Sequence, residues 1–235
     1  LLLATANAGY SGMGGDIWIR TGSASSGNSG DLTLETGAGS NAGVGGDIIM
    51  KVGAGGSGAG KGFDIVGGVS LARTGGMIVI HSGEGTATTS GAISIKTVNA
   101  GVRGSSGALI FSSGTGSSGN SGAIMLGSGS AVRGRGGLLS FTVGSGTSGA
   151  GGLFRAMAGH STVHTGGAVA ISAGEGAASS SGAVFIRSVN SGKSGVSGLL
   201  IFSSGTATNG NSGKVQIGSG KTKGGRGGLI SITVG

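Results

Sequence analysis

Runs of about six residues with alternating apolar side chains return every 15 or 16 residues along the chain, and this recurrence limits the fold more than any other feature. The clearest are Asp16–Thr21, Asp31–Thr36, Asp47–Val52, Ala92–Thr97, Ala108–Ser113, Ala123–Ser128, Leu138–Val143, Ala168–Ala173, Ala183–Ser188, Leu199–Ser204, Lys214–Ser219 and Leu229–Val234. Within each run apolar residues stand two apart, as do Leu32 and Leu34 or Ile230 and Ile232, which is the spacing of a strand with one buried face. Between the runs lie segments of Gly, Ser and Ala, such as Gly22–Gly30 (GSASSGNSG) and Gly114–Gly122 (GTGSSGNSG). Glycine opens most of these segments and closes most of them, as tight corners require.

A longer register lies over the short one. Gly83-Glu84-Gly85 returns 91 residues later as Gly174-Glu175-Gly176, and the same offset relates Val98-Asn99 to Val189-Asn190, Ile110-Phe111 to Ile201-Phe202 and Arg135 to Arg226. A run of six residues spans roughly 20 Å, and a 15-residue circuit has a contour of roughly 50 Å, room for two opposed strands and two narrow corners. The reading predicts an all-β chain: a parallel β-solenoid (β-helix) of flattened two-sheet coils of 15–16 residues, with six coils in each 91-residue superrepeat. Residues 1–235 are expected to form a single continuous solenoid of about fifteen coils, its inward aliphatics stacked in ladders about 4.8 Å apart. Neither Leu1–Ala4 nor Val234-Gly235 reads as a cap, so more coils in a longer repeat protein, or end-to-end assembly, are expected.

Composition removes several alternatives. The 61 glycines come without any proline and without a three-residue period, which excludes collagen, and the ordered beat argues against a flexible linker. With no cysteine, neither disulfides nor thiolate metal sites are available. The net charge of +8 suggests nucleic acid, but an aromatic content of 3% leaves little for base stacking, so no nucleic-acid partner is expected. No apolar run reaches the length of a membrane span.

Chemistry has few carriers. The acids are Asp16, Asp31, Glu35, Asp47, Asp64, Glu84 and Glu175, and His81, His160 and His164 have no Cys or carboxylate neighbour in the sequence. Strings resembling GxGxxG occur in every coil without a strand-to-helix context. The reading is therefore of a protein that is not an enzyme, with no catalytic residue and no cofactor. No metal site is expected either. The nearest approach to one is Asp16, Asp31 and Asp47, which hold equivalent coil positions and would stack as a column that a cation such as calcium could bridge.

Surfaces say more. Trp18, Ile49, Val79, Ile110, Phe185 and Ile201 fall on outward positions of the runs, where a lone soluble rod rarely carries apolar groups, so they are candidates for contact with copies of the chain or related repeat subunits. Arg103, Arg133, Arg135, Lys193, Lys221, Lys223 and Arg226 fall in the intervening segments and form a basic edge suited to an acidic polysaccharide or a neighbouring subunit. Charge is also uneven along the chain: residues 1–64 hold three basic and five acidic side chains, and residues 65–235 hold twelve and two.

The strings SGNSGDLTLETGAGS at Ser26–Ser40 and TSGAISIKT at Thr89–Thr97 resemble Gly/Ser-rich tandem-repeat surface proteins of microalgae and other protists, some associated with the hair-like appendages called mastigonemes. Glycine-rich fibre proteins of viruses or bacteria are similar. The resemblance covers nearly the whole chain and implies an extracellular or cell-surface filament or tubular shaft, assembled by lateral and end-to-end packing. The alternative is a surface adhesin or an ice- or glycan-binding module, although the outward positions are too irregular for an ice-binding plate.

Overall fold

The computed structural model describes residues 1–10, 12–41, 43–56 and 59–234. The expected last coil boundary at Gly235 lies outside the described residues. The chain divides into two units, Leu1–Ile124 and Met125–Gly235, each built on one plan of loops and runs.

Among the described residues there is neither an α-helix nor a hydrogen-bonded strand, which overturns the parallel β-solenoid. The reason lies in where each glycine-rich segment delivers the chain. In a solenoid the segment is a return path, so the end of one run and the start of the next stand a strand length apart, roughly 20 Å. Here they meet. The Gly91 N–H donates to the Gly83 carbonyl at 2.9 Å, and the same closure joins Gly76 to Gly68 (2.8 Å), Gly152 to Gly144 (3.2 Å), Gly167 to Gly159 (2.9 Å) and Gly182 to Gly174 (2.9 Å). Elsewhere a hydroxyl closes the neck: Thr5 Oγ1 donates to the Gly15 carbonyl at 3.0 Å, Thr36 Oγ1 to that of Gly46 at 2.9 Å, and Ser128 Oγ to that of Gly137 at 2.9 Å. Each segment is thus a loop pinched at its base, which lays the next run beside the one just left.

The reversal continues past the neck. Two residues in from the Val143–Gly152 neck, the rings of Phe141 and Phe154 face each other with centroids 6.5 Å apart. Phe202 likewise lines a shallow groove with Val215 and Ile217, beyond the neck of Ser204 and Gly213. The arms lie side by side without a ladder between them: among the described residues the backbone–backbone bonds are the five neck closures and two tight turns, Gly43 to Ser40 (3.0 Å) and Gly104 to Gly101 (3.2 Å). In the first of these turns Asn41 has φ 51°, a left-handed conformation that asparagine tolerates better than most residues.

A single layer of runs has two faces and nothing to cover either, so none of the described residues is buried. The chain presents 23720 Å² to solvent, against about 9,200 Å² for a folded monomer of its mass. Period-two alternation survives all the same: Phe185 is 89% exposed between Val184 at 48% and Ile186 at 55%. The residues expected to form an interior ladder are therefore half-exposed, screened only by neighbouring runs.

Candidate interaction surface

Two loop designs alternate along the chain, and they differ at their third residue. In one design this residue is glycine, because the backbone four or so residues on comes too close for a side chain. A β-carbon on Gly85 would fall on the carbonyl oxygen of Thr89, one on Gly176 on that of Ser180, and one on Gly146 would lie 2.6 Å from that of Gly149. In the other design the residue is Ser or Thr, whose hydroxyl accepts a backbone N–H three positions on: Arg73 to Ser70 (2.9 Å), His164 to Ser161 (2.9 Å) and Gly225 to Thr222 (3.1 Å). In loop 129–136 Ala131 holds the corresponding position and offers no hydroxyl.

Because every neck reverses the chain, successive loops leave opposite ends of the run between them. Loops of one design therefore gather along one edge. In the unit Met125–Gly235, loops 129–136, 159–166, 189–197 and 220–227 share an edge and carry Arg133, Arg135, His160, His164, Lys193, Lys221, Lys223 and Arg226, all exposed. Loops 144–151, 174–181 and 205–212 leave by the other edge, where Glu175 is the sole charge. Six of the seven residues expected to form a basic edge are brought to one edge of this unit. The seventh, Arg103, belongs to the unit Leu1–Ile124, on a loop of the same parity as that of Arg73. Sequence reasoning passed over Arg73 and the histidines of these loops; the signal was a spacing of two loops rather than one.

The reversal also separates the acids. Asp16, Asp31 and Asp47 each stand at the entrance of a run, and entrances of successive runs lie at opposite ends. Among the described residues no group of three or more His, Cys, Asp or Glu side chains is arranged to hold a metal ion. One shallow groove is lined by Arg187, Ser188, Val189 and Asn190, and the other by Phe202, Val215, Gln216 and Ile217; neither holds a carboxylate or a histidine. No helix among the described residues is long and apolar enough to cross a membrane.

Of the expected contact residues, Trp18, Ile49, Ile110, Phe185 and Ile201 are the most exposed members of their runs, while Val79 is exposed to the same degree as its neighbour Ile78. They share their face with polar groups such as Arg20, Lys51 and Arg187. The opposite face is apolar in run after run, with Ile17 and Ile19, Leu32 and Leu34, Ile93 and Ile95, Leu109 and Phe111, and Val184 and Ile186, and it too stands in solvent. Sequence reasoning had assigned these positions to an interior, so it missed the larger apolar surface.

No protein-family model, no curated protein and no solved structure matches this chain.

Proposed function

We propose that the chain is a structural subunit of an extracellular filament or tubular appendage, which grows by lateral packing of copies through their apolar faces. The observation that carries this reading is the apolar face exposed along the whole succession of runs. At about 25 cal/mol per Å², a face of this size gains more from a partner than from water. A second copy fits because it carries the same beat. Periodicity also decides what kind of assembly results. A face that repeats every two loops accepts a partner displaced by a whole number of repeats, and a displaced pair leaves uncovered face at both ends for the next copy. Such contacts propagate rather than close, giving a filament instead of a dimer. The resemblance to repeat proteins of protist appendages supports the extracellular setting.

Purified chain viewed by negative-stain electron microscopy should show filaments of indefinite length above a threshold concentration, with a matching loss of monomer in sedimentation velocity. Dispersed monomers at every concentration would reject the proposal.

A further inference from the structure

We propose that the loop edge formed by 129–136, 159–166, 189–197 and 220–227 binds a linear acidic polysaccharide, a partner beyond the copies of the chain proposed above. Arg133, Arg135, Lys193, Lys221, Lys223 and Arg226 stand on this edge, all exposed, while the opposite edge of the same unit holds one acid and no base. Net charge alone does not produce such a division. It follows from loop parity together with the neck closures that set that parity.

The loops suit a long, flexible anion. Arg133 and Arg135 alternate with Gly134 and Gly136, and Arg226 lies between Gly225 and Gly227, so little bulk separates the cations from a chain laid across them. Arginine offers paired donors that match a sulfate or carboxylate, and lysine adds point charges. Saccharide is favoured over nucleic acid for two reasons. The four loops contain no Phe, Tyr or Trp to stack on bases. Among the described residues there is also no helix or hydrogen-bonded ribbon to enter a duplex groove.

The test uses the whole chain, with heparin as the sulfated probe, polygalacturonate as the carboxylated one, dextran as the neutral control and a DNA oligonucleotide as the competing polyanion. Two variants lose the same three charges: Arg135→Gln/Lys223→Gln/Arg226→Gln on the edge, and Arg155→Gln/Arg187→Gln/Lys214→Gln on the runs. The parent should bind at least one acidic polysaccharide and not dextran, with affinity falling as salt rises. The edge variant should lose roughly 10-fold or more, and its slope of log affinity against log salt should flatten by about 2 to 3, from 0.7 to 0.9 per contact. The run variant should keep the parent's slope. Equal losses in both variants, tighter binding of the oligonucleotide than of either polysaccharide, or no salt-sensitive binding of heparin and polygalacturonate would each overturn the proposal.

Discussion

Four aspartates on the apolar face, at Ile78, Ile93, Leu109 and Ile124, should leave the chain dispersed at concentrations where the parent grows filaments. These residues occupy four successive runs and are half-exposed, so about half of each side chain remains to be covered by a partner. Full burial of Ile or Leu is worth about 1.5 to 3 kcal/mol, so the uncovered half contributes roughly 1 kcal/mol at each site and about 3 to 6 kcal/mol over the four. Placing carboxylates in a dry contact adds a desolvation cost on top of that loss. The threshold concentration for filaments, read from pelleting and sedimentation velocity, should therefore rise at least about 100-fold. A companion variant with aspartate at Ser94, Ser112, Ser140 and Gln216 changes net charge equally on the mixed face and should assemble nearly as the parent does. If both variants assemble alike, or both fail alike, the apolar face is not the contact.

The same face shows what could be read from the sequence. Alternation within the runs survives in the structure, as the exposures of Val184, Phe185 and Ile186 attest. The beat survives too. The Gly76–Gly68 closure reappears at Gly167–Gly159, and that of Gly91–Gly83 at Gly182–Gly174, each pair displaced by the 91 residues of the superrepeat. What periodicity could not supply was the direction of return. A segment such as Gly83–Gly91 has the length of a strand crossing back and also that of a loop closing on itself, and both leave the apolar period unchanged. The choice rests on which carbonyl the Gly91 N–H reaches, a contact with no signature in composition. Once that choice is fixed as a closed loop, the remaining corrections follow. The alternating face loses its second layer, Asp16 and Asp31 move to opposite ends, and the basic residues sort by loop parity rather than forming one stripe. The residues of the basic edge were legible as a set; their grouping was not, because it depends on the reversal.

That reversal makes an all-or-none prediction, helped by a chain that contains no cysteine of its own. A β-carbon placed on Gly91 would lie 3.5 Å from that of Ser82, within the roughly 3.5 to 4.5 Å that a disulfide spans. The double variant Ser82→Cys/Gly91→Cys should therefore close an intramolecular disulfide under mild oxidation, detected as resistance to alkylation by mass spectrometry. The pair Ser82→Cys/Thr97→Cys should not. Those residues end consecutive runs and stand roughly a strand length, about 20 Å, apart here, whereas stacked coils would hold them about 4.8 Å apart. A third substitution tests the loop itself. Valine at Gly85 would drive its side chain into the Thr89 carbonyl, while Gly83 has open space around it. Overpacking of this kind costs about 1 to 3 kcal/mol, so Gly85→Val should slow closure of the 82–91 disulfide by about 10-fold or more, and Gly83→Val should leave its rate nearly unchanged. Cross-linking of 82 with 97 in preference to 91 would show that the chain goes round rather than back, and the loop parity that sorts the charges would fall with it.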